Sequence, residues 1–318
     1  MLAETVFRRA TLESLRRKLS KSKELIKAGD LIKERWEIVK TIGSGGFGQV
    51  FRAHDRKYSR DVAIKVESKD NPRGVLKLEV VVIQAFEVSS HCPRFYGCGQ
   101  WGDALYMVMQ LLGPSLGQRR RQMPHKMFTI STSIRATVQM ISAIQELHDS
   151  GYIHRDIKLS NMALGLSPTQ KNTILLFDFG LARKYVDAEG NLRPEREDIG
   201  FRGTVRYASL AAHEMQDLSR RDDLWSLFYV CAEMITGKLP WRNIRDKRAV
   251  QKLKEEHPPE QLCDALPHEY RMFVTHLRTL RFEDRPNYGF LLDSMHIAMS
   301  RLNLAINDPY DWDNLPDP

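Results

Sequence analysis

Apolar and polar positions change period about a third of the way along this chain. Residues 36–42, 49–54, 61–66, 94–98 and 105–109 are short β-rich runs and predict strands. One helical stretch interrupts them at 74–86, where Val75, Leu78, Val82 and Ala85 share a face. After Gly113 and Pro114 the periods lengthen. Ile134, Val138, Ile141 and His148 mark one helix, Leu224, Leu227, Phe228, Cys231 and Ile235 a second, and Leu291, Met295, Met299 and Leu302 a third. Sheet followed by helix predicts an α+β, bilobal chain: a small β-rich lobe over 36–109, a joint at 110–113 and a larger helical lobe over 114–310, with 311–318 as a tail. A cleft between two such lobes is the default place for a ligand. Ahead of Trp36, Leu12, Leu15, Leu19 and Ile26 recur at helical spacing, with Arg16, Arg17, Lys18, Lys21 and Lys23 mostly on other faces. Residues 1–35 therefore read as a basic amphipathic extension, either docking on a partner or acidic surface or simply solvated.

Composition narrows the class. With 318 residues, 42% of them hydrophobic and 28% charged, the chain has the make-up of a globular protein with a large core, which excludes disordered and collagen-like classes. Its longest apolar run is a handful of residues, against the roughly 20 needed to cross a bilayer, so no membrane span is expected. The start lacks a hydrophobic signal core, and Cys92, Cys98, Cys231 and Cys263 show no metal-type or redox-type spacing. These features fit a reducing compartment, the cytoplasm with the nucleus left open. His91, Cys92 and Cys98 are expected to pack in the small lobe. The net charge is +8, and residues 1–35, with ten basic and five acidic side chains, carry +5 of it. The remainder is close to balanced, which weighs against a nucleic-acid binder lacking aromatic platforms.

The chemistry lies in five segments. Gly43-Ser44-Gly45-Gly46-Phe47-Gly48 is a glycine-rich loop whose amides can approach phosphate without a Cβ in the way. A β-rich run follows it instead of a helix, so it reads as a hairpin over phosphates, not a dinucleotide turn. Val62-Ala63-Ile64-Lys65 is a strand ending in a cation, and Glu79, mid-helix between Leu78 and Val80, is a carboxylate suited to orient that ammonium toward α and β phosphates. His154-Arg155-Asp156-Ile157-Lys158-Leu159-Ser160-Asn161 puts three groups in one loop: an aspartate to accept a hydroxyl proton, a lysine to reach the transferring phosphate, and an asparagine to ligate Mg²⁺. Twenty-two residues beyond Asp156, the apolar strand 174–177 ends in Asp178-Phe179-Gly180, a carboxylate placed to bridge metal and phosphate oxygens.

Five motifs in this order and spacing resemble the eukaryotic protein kinase family over about residues 36–310. Phe201-Arg202-Gly203-Thr204-Val205-Arg206-Tyr207-Ala208-Ser209 and the hinge run 107–116 look like the casein kinase 1 superfamily. Residues 66–68, 222–229 and Tyr310-Asp311-Trp312-Asp313 look more like its tau-tubulin kinase branch. The resemblance implies ATP and Mg²⁺ as cofactors. It implies nucleotide contacts from Ile42, Gly43, Ser44, Gly45, Gly46, Phe47, Gly48, Val50, Ala63 and Lys65, with Met109 as gatekeeper, Leu112 as the hinge contact and Ala163 as the adenine floor. Lys65 and Glu79 would be the phosphate-orienting pair, Asp156 the base, Lys158 the γ-phosphate contact, Asn161 and Asp178 the metal ligands, and Asp223 the brace of the catalytic loop. Lys158 and Thr204 imply Ser/Thr acceptors. Arg155, Arg183 and Arg206 match positions that gather around an anion, implying acidic or already phosphorylated protein substrates, with cytoskeletal proteins as candidates and the enzyme a monomer.

Departures from the family pattern are Leu159 in place of proline in the catalytic loop, the small Ala163, which predicts a roomier adenine floor, and no glutamate in an Ala-Pro-Glu motif to clasp the Arg285 region. Between Leu181 and Gly203 there is no Ser or Thr, only Tyr185, while Glu195, Glu197 and Asp198 offer fixed negative charge. Activity without activation-loop phosphorylation is therefore expected. Alternatives are a pseudokinase scaffold and a basic-tail adaptor that docks on the cytoskeleton.

Overall fold

The computed structural model describes residues 25–45, 48–72, 74–197 and 199–316. The helix expected around Leu12–Leu19, the loop residues Gly46 and Phe47, and Asp198 lie outside them. The chain divides into two compact units: residues up to Leu76 with Tyr96–Gln110, and Lys77–Phe95 with Leu111 onward.

The first unit is a six-stranded sheet of β1 (Leu31–Ile32), β2 (Trp36–Gly45), β3 (Gly48–Asp55), β4 (Arg60–Ser68), β5 (Phe95–Trp101) and β6 (Ala104–Gln110), in the order β1-β2-β3-β4-β6-β5. Strand alternation sends Phe51, Ala53, Val62, Ile64, Val66, Tyr106 and Val108 to one face, where they close on Ile26, Ile32, Trp36 and Ile38. The boundary expected at residue 35 is therefore not the edge of the packed structure. Ile26 and Ile32 are buried in this core, and Leu31 and Ile32 pair with Glu37 and Trp36. Isolated isoleucines among charges display no period that would reveal a strand.

The division between the units passes through α1 (Val75–Phe86). Its N-terminus is capped from β4, because the buried Glu67 carboxylate accepts from the amides of Val75 at 3.3 Å and Leu76 at 2.8 Å. Two of the amides a helix leaves unsatisfied are thereby satisfied by an anion. Sequence reading gave Glu67 no such role, since its partners are recognisable only once strand and helix meet.

The second unit holds α2 (Leu116–Gln122), α3 (Ile130–Asp149), α4 (Leu210–His213), α5 (Arg220–Thr236), α6 (Lys247–Glu256), α7 (Pro259–Leu262), α8 (Glu269–Thr279) and α9 (Tyr288–Arg301). Short pairs, β7 (Tyr152–Ile153) with β10 (Arg183–Lys184) and β8 (Met162–Leu164) with β9 (Ile174–Leu176), carry the connecting loops. The long α3 packs against α5 and α9. His91 and Cys92 are buried here and not in the small lobe: His91 Nδ1 lies 2.7 Å from the Ile174 carbonyl, whereas Cys98 is exposed on β5. The expected tail also packs in. Trp312 is buried edge-on against Phe128 and stacks on Tyr310 with ring centroids 4.6 Å apart, while Asp311 accepts from the Thr129 amide at 2.7 Å at the start of α3. Among the described residues no helix is long and apolar enough to cross a membrane.

Candidate active site

The loop after β7 is held from beneath by one buried carboxylate. Asp223 on α5 accepts from the amides of His154 and Arg155, each at 2.7 Å, and contacts His148 Nε2 at 2.9 Å. Burial alone would raise its pKa, yet the bonds from His148 and the loop amides hold the Asp223 carboxyl below its ordinary range. Arg155 adopts a left-handed backbone with φ 65°, a conformation that persists only where its surroundings impose it.

Above that brace, three side chains converge. Lys158 Nζ lies 2.5 Å from Asp156 Oδ2, Thr204 Oγ1 donates to Asp156 Oδ1 at 2.7 Å, and Lys158 Nζ also reaches Thr204 Oγ1 at 3.4 Å. Thr204 comes from a segment 48 residues away. Its approach depends on Gly203, whose φ is 95° and where a Cβ would stand 2.7 Å from the Arg155 carbonyl. The triangle presents a nearly buried carboxylate beside a partly exposed ammonium, an arrangement suited to taking a proton from a hydroxyl while stabilising negative charge nearby.

The metal-ligand candidates lie next along the same loop. Asn161 Nδ2 donates to the Asp156 carbonyl at 3.1 Å, which leaves its amide oxygen as the hard donor. The pairing of β8 with β9 sets Met162 opposite Leu176, and the Phe177 amide bonds to the Asn161 carbonyl at 3.0 Å. Asp178, with φ 66°, follows directly. Phe179 anchors it by packing edge-on against Phe86 and against His154. An amide oxygen and a carboxylate are the chemistry Mg²⁺ accepts, with water and phosphate completing its shell. Leu159 is buried, and Ala163 on β8 is buried beside Leu164, while Leu112 is half-buried.

In the first unit, the sheet face opposite the core carries the nucleotide candidates. Gly43 pairs with Val50, Val50 with Lys65, and Ala63 with Met109, so these side chains share a face, with Ser44, Gly45 and Ile42 at the hairpin end. Gly48, φ 122°, closes the hairpin, and a Cβ there would fall 2.2 Å from the Val66 carbonyl. Lys65 is buried on β4 of this unit, and Glu79 is buried on α1 in the other.

Of the three arginines expected to surround one anion, Arg155 and Arg183 stay near each other and Arg206 stands apart. Arg183 pairs with the buried Asp217, whereas Arg206 Nη1 bonds to the buried Glu233 at 3.2 Å, joined by Arg120 at 3.4 Å and the Tyr207 hydroxyl. Arg155 turns to the carbonyls of Leu181 at 2.7 Å and Ala182 at 3.4 Å. Arg206 instead lines a cavity of about 760 Å³ with Arg120, Arg121, Lys158, Arg242 and Arg245. Arg120, Arg121, Arg242 and Arg245 lie outside the sequence motifs and were not expected from them. Arg285 pairs with Asp149 at 2.9 Å. The end of the 204–208 segment is clasped by Lys254 of α6, whose buried ammonium donates to the carbonyls of Val205 at 3.2 Å and Ala208 at 2.5 Å.

Residues 36–296 match the family model described as the protein kinase domain. The chain is 45% identical over 286 residues to a protein of Dictyostelium discoideum named as a probable serine/threonine-protein kinase, covering 90% of this chain and 58% of that relative. It is 33% identical over 288 residues to the serine/threonine-protein kinase spe-6 of Caenorhabditis elegans, covering 88% of this chain and 76% of the relative. The chain thus spans a little over half the length of the first of these relatives.

Proposed function

We propose that this chain, which belongs to the protein kinase family, is a protein serine/threonine kinase that transfers the γ-phosphoryl group of ATP to serine or threonine of protein substrates. The observation that carries the reading is the triangle of Asp156, Lys158 and Thr204. In this reading Asp156 accepts the proton of the attacking hydroxyl, Thr204 holds the carboxylate in the orientation that faces the acceptor, and Lys158 stabilises charge on the transferring group. Asp223 keeps the loop backbone in place, and the nucleotide candidates on each unit take the roles that the family resemblance implies for them. Bound at Asn161 and Asp178, Mg²⁺ would neutralise phosphate charge. A pseudokinase scaffold would have no use for this set of groups, and a cytoskeletal adaptor would rest on residues 1–35, which are compatible with either activity.

The finer reading is a casein kinase 1 superfamily member of the tau-tubulin kinase-like branch, cytoplasmic, that prefers acidic or primed substrates. Its support is the resemblance of the 201–209 and 310–313 segments and the cationic cavity shared by Lys158, Arg206, Arg242 and Arg245. The three-arginine version of the anion site gives way here to Arg206 and its cavity neighbours. Transfer of labelled γ-phosphate to an acidic casein-like protein by wild type, reduced roughly 10²–10⁴-fold in Asp156→Ala, is the expected result. Equal transfer by both proteins, or none by a nucleotide-binding wild type, would overturn it. Comparing kcat/KM for one peptide with and without an upstream phosphoserine tests the substrate preference, and a ratio near one removes it.

A further inference from the structure

Arg155 precedes the proposed base and ties the catalytic loop to the segment after Asp178 through the Leu181 and Ala182 carbonyls. Two more guanidinium groups, Arg183 and Arg196, act on it. Burial first, then repulsion from Arg196 and Arg183, brings Arg155 down to about 10, with Asp217 and Asp223 opposing the change. Arg183 is largely buried and Arg196 half exposed, and two guanidinium charges buried side by side at Arg155 and Arg183 are costly unless an anion balances them. Of the loop carboxylates named from sequence, the described Glu195 and Glu197 do not supply one, since both are exposed.

A different residue does, from the stretch between α4 and α5. Asp217 is fully buried, and its carboxylate is bonded on every side. It accepts from Arg183 Nη1, from the amide, Nε and Nη2 of Arg196, each at 3.1 Å, and from the Leu218 amide at 3.1 Å. One carboxylate thus pins β10 and residue 196, the two arms of the segment that returns through Gly203 to Thr204.

We propose that Asp217 is the built-in anion of this segment, a positioning residue that holds Arg183 and Arg196 as a phosphorylated loop side chain would, so that Thr204 meets Asp156 without covalent modification. The proposal rests on the kinase reading above and supplies its regulation. Loop phosphates order such segments through new arginine pairs; here the pairs are already made by a side chain that no phosphatase removes.

The test uses the full 318-residue chain, produced without other protein kinases and shown by mass to be unmodified. Asp217→Ala should lower kcat roughly tenfold to a hundredfold, the scale of a misplaced catalytic group, with KM for ATP changed less than about twofold. Asp217→Glu should retain most of the activity. Inorganic sulfate should restore kcat at least partly in Asp217→Ala, leave wild type unchanged, and fail in Asp217→Ala with Arg183→Ala. If the alanine variant does not fold, the isosteric Asp217→Asn carries the test: its loss of kcat should be partly reversed by adding Arg183→Gln, a charge-balance effect that a packing defect would not produce. Wild-type kcat in Asp217→Ala, or a folded variant whose loss neither sulfate nor Arg183→Gln relieves, would overturn the proposal while leaving the kinase reading intact. A wild type that transfers phosphate only after its loop is modified would also overturn the proposal, whereas one that transfers none in either form would refute the kinase reading itself.

Discussion

Asp223→Asn isolates the electrostatic part of the brace beneath the catalytic loop, because the two side chains have the same shape. The carboxylate uses both oxygens, Oδ1 on the Arg155 amide and Oδ2 on the His154 amide and His148 Nε2, at 2.7, 2.7 and 2.9 Å. Asparagine has one oxygen, so its NH₂ must face one of these donors in a fully buried site. Losing a charge-assisted bond costs about 1.5–3 kcal/mol, and a buried donor left unpaired about 1–3 kcal/mol more. A destabilisation of roughly 3–5 kcal/mol follows, which at about 2–4 °C per kcal/mol lowers Tm by roughly 6–20 °C. The pH dependence has a definite sign. Because the folded pKa of Asp223 lies below its unfolded value, its contribution is present above the ordinary carboxylate range and fades as pH falls through the folded pKa. The gap between wild type and variant should be constant at neutral pH and narrow in acid. Thermal melts of both proteins from pH 7 down to the acid limit, with phosphate transfer at pH 7, give the assay. A variant melting within about 2 °C of wild type at pH 7, or a gap that widens in acid, would refute the reasoning.

Three further outcomes are expected. Burial pushes the Lys254 ammonium down to about 7, so the unfolded chain binds more protons between there and the ordinary lysine range, and stability should rise with pH across that window. Lys254→Met should remove that rise, seen as a flatter plot of Tm against pH; equal slopes would count against a buried ammonium. Gly203→Ala should drive a methyl into the Arg155 carbonyl at a left-handed φ, costing about 1–3 kcal/mol and lowering kcat more than KM for ATP; unchanged kcat would separate this approach from catalysis. Trp312→Ala should cost about 3–5 kcal/mol by emptying the site against Phe128 and Tyr310, with an unshifted denaturant midpoint arguing that the segment does not belong to the packed unit.

Much of this architecture is legible along the chain because its causes are local. The strands over β2 to β6 and the helices α1, α3, α5 and α9 follow from period alone, which moved their ends by a few residues. The hairpin closing on Gly48 follows from glycine spacing between two strands, and Asp156, Lys158 and Asn161 stand together because one loop carries them. Interactions that join distant segments leave no such trace. Glu67 on the first helix, Lys254 on the Val205 and Ala208 carbonyls, and Trp312 on Phe128 each depend on a partner that only folding brings near. The arginines show the difference most clearly. The family resemblance of their positions implies an anion, but which carboxylate serves each depends on where α4, α5 and α6 deliver their ends. Sequence proximity pointed to Glu195, Glu197 and Asp198; among the described carboxylates, burial selected Asp217 for Arg183 and Arg196, and Glu233 for Arg206. A surface carboxylate beside an arginine is screened by water, while one in the interior is not, and that selection is made by packing.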